Sequence, residues 1–409
     1  MNLNRMALVF PGQGSQYAGM GAAWHSDFTE ADHLFEEAAD ILGYDLKALC
    51  MAGPITQLSK TFYTQPALLT ISVIAFRRYM HEIGIIPKFS AGHSLGEYSA
   101  LVSSGVLSFG DALRLVQERG RFMEAAAEAG LGSMIAIRGA ELNVVEEFCR
   151  LHSTVDQPAV IACYNSPNQY VVSGHHTSVA VVAGKLEQRG AQITRLQVSG
   201  PFHSLLMQHA ADRLTIELQK YTFHEPQWPV ISNVTAQPYP DVDSIRQGLI
   251  LQMTHPVRWI QTMQYMANHG VKQNIELGPR TVLKNLAKEI NTTIEVLSLD
   301  RDLDRVELER RFSIRDWVAR SLSLAVSTPN ANWNEDEYLK GVILPVRRLE
   351  ELLRNSESGS SPPPASEQRQ EILGCIRLVL QTKRVSEGEQ KVMLEQLRRD
   401  QDGAVSNFN

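Results

Sequence analysis

The chain has 409 residues, a formal net charge of −6, 44% hydrophobic residues and 21% charged residues. That make-up suits a globular chain long enough for two or three domains. It carries no basic block of the kind nucleic-acid binding needs and no apolar run as long as a membrane span.

The first predicted element is a buried strand, Met6 to Phe10, too short for a signal-peptide core. A turn-rich stretch follows, Pro11-Gly12-Gln13-Gly14-Ser15-Gln16. It is either a plain strand-to-helix loop or an anion-binding turn. It lacks the Gly-Lys-Ser/Thr ending of a P-loop. Thr64 to Met80 has helical spacing, with Leu68, Leu69, Ile71, Val73 and Ile74 as its apolar positions. Lys88 to Ala91 reads as a short strand, and Glu97 to Val106 as a helix. Alternating strand and helix signals predict an α/β domain with a largely parallel sheet.

The pattern changes after Gly130. Strand Ser133–Ile137, helix Leu142–Leu151, strands Ala159–Tyr164 and Tyr170–Gly174, helix His176–Arg189 and strand Ile193–Val198 succeed one another. That β-α-β-β-α-β order is the pattern of a small ferredoxin-like domain. It interrupts the larger domain, so the expected division is 1–130 with 200–329 as the large body and 131–199 as an insertion. Residues 330–354 form a separate mixed-charge segment containing Trp333, Tyr338 and Pro345. Its apolar groups are expected to pack back onto the large body. The Ser/Pro-rich residues 355–366 read as a linker that isolates a helical extension, 367–409. The four cysteines, Cys50, Cys149, Cys163 and Cys375, lie far apart with no Cys-x-x-Cys pair. They suggest neither a metal site nor a disulfide framework and suit a reducing cytoplasm.

Between the strand at Lys88–Ala91 and the next helix stands Gly92-His93-Ser94-Leu95-Gly96. A strand, a sharp turn with a serine at its tip and then a helix is the setting of a nucleophile elbow. A chain of this length contains Gly-x-Ser-x-Gly by chance roughly one time in seven, so the pentapeptide alone decides little. The longer string Gly92 to Ala100 is more specific. It resembles the active-site segment of malonyl-CoA:acyl carrier protein transacylases and of the acyltransferase domains of polyketide and fatty-acid synthases. The resemblance extends over roughly residues 6 to 300. It includes Phe10 to Gln16, Thr64-Gln65-Pro66-Ala67-Leu68, Gly200-Pro201-Phe202-His203-Ser204 and Gln252-Met253-Thr254-His255-Pro256-Val257.

The resemblance implies an α/β-hydrolase-like large domain and a set of site residues. Ser94 would be the nucleophile and His203 its base; a serine hydroxyl needs such a partner at neutral pH. Gln252 would orient His203 by accepting its Nδ1 proton through the side-chain amide carbonyl. The backbone N–H groups of Leu95 and Gln13 would form the oxyanion hole. Arg119 would grip the malonyl carboxylate, with Arg121 as the nearby competitor. His93 is given a supporting role, and Gln65 and Asn165 are expected to line the pocket. The substrate would be malonyl-CoA, with no bound cofactor or metal. The partner would be the phosphopantetheine arm of an acyl carrier protein, with room for other synthase components. The segment from Asn332 to Pro345 is similar to a tail found on free-standing acyltransferases of polyketide assembly lines. Two other readings stay open: a hydrolase that clears stalled acyl chains from carrier proteins, and a non-catalytic synthase scaffold.

Overall fold

A computed structural model describes residues 5–22, 28–127, 130–197, 200–290, 292–312, 314–355 and 365–402. They fall into two compact units, one of 5–76 with 87–301 and one of 77–86 with 302 onward.

The first unit is built on a five-stranded sheet. Its strands are β1 (Met6–Phe10), β2 (Phe89–Gly92), β7 (Val230–Ile231), β8 (Gln273–Glu276) and β9 (Glu295–Ser298), in the order β7-β2-β1-β8-β9. Every pairing is parallel. The central strand β1, Met-Ala-Leu-Val-Phe, is buried at all five positions. A strand covered on both faces has no polar alternation to show, which is why it reads as a continuous apolar run. Helices supply the crossovers, among them Thr61–Glu82, Gly96–Ser103 and Phe109–Ala127. The expected helix Thr64–Met80 extends further at both ends, with Pro66 inside its first turns. Pro66 is the sixth residue of this helix, past the first-turn N–H groups that lack partners, so the ladder loses one intrahelical bond there.

Between the helix ending at Ala127 and the segment resuming at Gly200, the chain forms a second sheet. Its strands are β3 (Gly132–Arg138), β4 (Ala159–Ser166), β5 (Gln169–His175) and β6 (Gln192–Arg195), ordered β4-β5-β3-β6 with every pairing antiparallel. Helices Leu142–Leu151 and His176–Glu187 cover it. Ile135, Ile137, Val145, Phe148, Val172, Val179, Val182 and Leu186 form a core of its own. The last expected strand is shorter than read, and its final residue, Val198, lies outside the described residues. The insertion is tied to the main body by backbone bonds between Val257 and both Ala162 and Tyr164.

The second unit is helical. Helices Ile314–Ser327, Leu344–Asn355, Ala365–Thr382 and Glu387–Asp402 share one core, with Trp317, Val318, Leu349, Leu352, Ile372, Ile376, Val379, Leu380 and Leu397 buried in it. Two buried cations satisfy backbone carbonyls there. Lys383 Nζ donates to the oxygens of Ala325 and Thr328 at 2.8 and 2.6 Å, and Arg369 donates to those of Ile83 and Phe312. Unpaired carbonyls at a helix end are favourable seats for a positive charge.

Three sequence expectations change here. The helical unit begins at Asp302, not after 329, because Ile314, Trp317 and Val318 turn inward to this core. The extension is not isolated: Ile372, Ile376 and Val379 pack in the same core as Leu349 and Leu352. It is also two helices, broken where Arg384 adopts φ 60°. Val342 and Tyr338 join this core, whereas Trp333 is 86% exposed. Of the expected linker, residues 356–364 lie outside the described residues.

A chain ending at Asn355 would therefore lose one side of the helical core. Removing large buried aliphatic groups costs about 2–5 kcal/mol each. Thermal melting of the chain cut after Asn355 should show a clearly lowered midpoint. An unchanged midpoint would mean that the last two helices add nothing to stability.

Candidate active site

Three loops leave the carboxyl ends of neighbouring strands β1, β2 and β7 and meet at one place. Such ends are where ligands bind in open parallel sheets. The loop after β1 carries Gln13, the turn after β2 carries Ser94, and the segment after β7 carries Asn233.

The turn after β2 is as tight as the sequence suggests. Ser94 has φ 52°, in the left-handed region, a conformation a non-glycine residue holds only when its surroundings enforce it. A Cβ placed on Gly92 would lie 1.8 Å from the carbonyl carbon of Gly96, and one on Gly96 would lie 2.1 Å from the oxygen of Phe10. Only glycine fits at either position. The side chain of Asn233 clamps the turn, accepting from the Ser94 N–H at 2.7 Å and donating to the Gly92 oxygen at 2.6 Å.

Ser94 Oγ stands 2.9 Å from His203 Nε2. His203 also has a positive φ, 59°. Its Nδ1 lies 2.7 Å from the backbone oxygen of Gln252. A carbonyl oxygen only accepts, so Nδ1 carries the proton and Nε2 is left to accept from the serine. The sequence reading gave this task to the Gln252 side chain; the structure gives it to the main chain. Gln252 is the last residue of helix Val242–Gln252, where a carbonyl has no i→i+4 donor within the helix, and the histidine takes its oxygen. Burial, reinforced by the nearby Arg119 charge, pushes His203 down to about 3, so the imidazole is neutral at neutral pH.

The freed side chain of Gln252 does other work. Its Oε1 accepts from Arg119 at 3.0 Å. Its Nε2 donates to the Ser94 oxygen at 3.2 Å and to Glu97 at 2.7 Å. Arg119 comes from the inward face of helix Phe109–Ala127 and is 1% exposed. Its Nε has no acceptor among the described residues, and its guanidinium stands 5.4 Å from the ring centroid of Tyr98. The competitor Arg121 is paired with Glu118 on the outer face, 53% exposed. Two residues along the helix, a rotation of about 200°, thus separate a surface ion pair from a buried cation with spare donors.

Gln13, Leu95, Ser94, His203, Arg119, His93 and Asn165 all line one cavity of about 210 Å³. Neither the Leu95 nor the Gln13 backbone N–H meets an acceptor among the described residues. The Gln13 side chain is turned away onto Thr61 at 3.2 Å. The inserted sheet closes the far wall with Met134, Ala136, Cys163 and Val171. His93 Nε2 donates to Asn165 at 2.7 Å, and Asn165 donates on to Gln169 at 3.3 Å. Gln65 stands one layer behind the wall, its Nε2 against the sulfur of Met123 at 3.2 Å; Met123 lines the cavity and Gln65 does not.

Three participants escaped the sequence reading: Asn233, Glu97 and Tyr239. Glu97 is fully buried and accepts from Asn233 N–H at 3.1 Å, from Gln252 and from the Tyr239 hydroxyl. Burial raises its carboxyl to about 7 against the pull of these donors. The only signal for it was an acid in the first turn of a helix whose other positions are small or apolar.

Residues 7–305 match the acyl transferase domain family. The chain is 40% identical over 400 residues to a malonyl CoA-acyl carrier protein transacylase of Bacillus subtilis, covering 96% of this chain and 100% of that one. To the transacylase of Escherichia coli K12 it is 42% identical over 299 residues, 73% of this chain and 96% of the other. Among solved structures it resembles the malonyl-CoA:acyl carrier protein transacylase of Xanthomonas oryzae, with TM-score 0.73 and 39% identity, over 76% of this chain and 100% of that one. It also resembles a malonyl-transacylase solved in complex with the acyl-carrier protein of a type II PKS. That match has TM-score 0.72 and 39% identity, over 75% of this chain and 99% of the other.

His203 ordinarily titrates near 6.5 and is held near 3 in the fold. Between those values the unfolded chain binds the proton and the folded chain does not. Its contribution to stability is therefore complete above about pH 6.5 and is lost as the pH falls toward 3. The stability lost between pH 7 and pH 5 should be smaller in His203→Gln than in the unaltered chain, by chemical denaturation at both pH values. Equal losses would show that folding does not hold this histidine neutral.

Proposed function

This chain belongs to the acyl transferase domain family, and on that premise we propose that it carries malonyl from malonyl-CoA to the phosphopantetheine thiol of an acyl carrier protein through an ester on Ser94. The observation that carries the reading is Arg119, a buried guanidinium with an unused donor in the cavity that holds the Ser94–His203 pair.

Ser94 Oγ attacks the thioester carbonyl while His203 Nε2 takes its proton. The neutral, Nδ1-protonated imidazole is already the tautomer this step needs. The growing oxyanion is received by the N–H groups of Leu95 and Gln13. His203 then returns the proton to the departing CoA sulfur and leaves a malonyl ester. In the second half the carrier thiol gives its proton to His203 and attacks that ester, and Ser94 Oγ departs with the proton. Two half-reactions through one covalent intermediate give ping-pong kinetics. The chemistry needs no prosthetic group.

Arg119 pairs with the free malonyl carboxylate. A neutral acyl group would leave a buried cation uncompensated, so selectivity has a penalty as well as an attraction. This argues against the hydrolase reading, since a plain acyl chain gains nothing from the guanidinium. It argues equally against a scaffold, for which a tuned serine–histidine pair has no use. His93 and Asn165 support the cavity wall, and Gln65 backs it.

The strand order β4-β5-β3-β6 with its two helices supports reading the insertion as ferredoxin-like. The 400-residue match to the Bacillus relative, against 299 for the Escherichia one, supports a free-standing acyltransferase that carries this tail and serves a polyketide or fatty-acid synthase. Cytoplasmic residence fits the four free cysteines and the lack, among the described residues, of a helix long and apolar enough to cross a membrane.

Ser94→Ala should abolish the malonyl adduct seen by intact-mass analysis after exposure to malonyl-CoA. An adduct on that variant would move the nucleophile elsewhere. Arg119→Ala should lower malonyl loading by the equivalent of about 2–5 kcal/mol and shift preference toward acetyl. An unchanged malonyl-to-acetyl preference would remove Arg119 from carboxylate recognition.

A further inference from the structure

Glu97 takes no direct part in the steps above, yet it sits beneath them. Its side chain is fully buried, and three donors converge on it. The Tyr239 hydroxyl reaches Oε1. The Gln252 amide and the Asn233 backbone N–H reach Oε2, at 2.7 and 3.1 Å. Oε2 receives both N–H groups, so it acts as an acceptor whether or not the carboxyl is ionised, and that constrains Gln252.

The Gln252 amide has two possible orientations of nearly the same shape. In the structure its Nε2 faces three oxygens: Glu97 Oε2, the Ser94 carbonyl at 3.2 Å and Asn233 Oδ1 at 3.4 Å. Its Oε1 faces the Arg119 guanidinium. Turned over, the amide would set oxygen against these three oxygens and N–H against a cation. Of the three, Glu97 makes the shortest contact.

We infer that Glu97 is a positioning residue that fixes the Gln252 amide and through it aims Arg119 at the substrate carboxylate. The inference rests on the reading of Arg119 above and deepens it. Among the described residues, the side-chain hydrogen bond that holds the Arg119 guanidinium is the one to Gln252 Oε1, with the Tyr98 ring beside it. Losing it frees a long side chain to explore other rotamers, so the orientation of one neutral amide governs the aim of the cation.

A second path runs from Glu97 through Asn233 to the Ser94 N–H, and the two paths have different signatures. Disturbing the elbow slows every acyl group alike. Disturbing Arg119 slows only an acyl group that bears a carboxylate.

The test is the ratio of malonyl to acetyl loading rates on Ser94, read by intact mass on the full chain. Glu97→Met should lower that ratio roughly tenfold, the scale of a hydrogen bond to a charged group. Glu97→Gln can still present an oxygen to Gln252 with its own amide nitrogen toward Tyr239, and should keep most of the ratio. If the Met variant does not fold, Glu97→Asp serves in its place, because it withdraws the carboxylate by one methylene while keeping the charge. An unchanged ratio, with both acyl groups slowed equally, would overturn the proposal and leave Glu97 as a brace for the elbow. A Gln variant as impaired as the Met variant would also overturn it, since an acceptor oxygen would then not be what matters. Arg119→Ala runs alongside. If it keeps the unaltered ratio, the carboxylate reading itself fails. If it loses the ratio while the Met and Asp variants keep it, only the role of Glu97 fails.

Discussion

The approach of Gly96 to the end of β1 constrains everything else in the site. The helix that begins there comes so near Phe10 that no side chain fits between them. That closeness bends the chain sharply after β2 and forces Ser94 into the left-handed region. The strain is local, and the partners that hold it are distant in sequence. Asn233 grips both sides of the turn, and Gln252 grips the Ser94 carbonyl. The serine can point outward only because strand ends from three parts of the chain are stacked beside it.

Above this turn, a guanidinium and a carboxyl are buried within one network of polar side chains. Taking a guanidinium out of water is expensive, and a protein recovers the cost only through good partners. Arg119 has Gln252 and the face of Tyr98, and has donors to spare. The carboxyl of Glu97 lies on the other side of the same glutamine. Gln252 therefore meets the base through its main chain, and the guanidinium and the carboxyl through its side chain. A glutamine suits that position because its amide offers a donor and an acceptor on one rigid plane.

How much of this was legible in the sequence depended on how local the signal was. The elbow could be read because a strand, two glycines and a helix are contiguous. The strands and helices between Gly132 and Arg195 could be read because strand and helix periods alternate there. Arg119 was separable from Arg121 only by resemblance; in the structure burial makes the difference plain. Asn233, Glu97 and Tyr239 were not legible. Each matters through a partner brought near by the parallel sheet, and a lone Asn, Glu or Tyr in sequence has many ordinary uses. The Gln252 assignment failed for a related reason: sequence names side chains, and the acceptor was a main-chain carbonyl. The tail was misjudged because a Ser/Pro-rich stretch says where chain loops out, not whether the next helix returns to the same core.

The order of the large sheet has a consequence for how the molecule is made. Strand β1, near the start of the chain, pairs on one side with β2 and on the other with β8, so that Met6 lies beside Gln273. Pairings of such long sequence separation form late and slowly. During synthesis the first strand leaves the ribosome long before its second neighbour exists, with one apolar edge open. An unpaired apolar edge is a template for misassociation. The serine turn, the histidine and the arginine are all translated while that edge is still waiting. The residues of the acyl-transfer site can be held in place only once β8, and beyond it β9, has paired into the sheet.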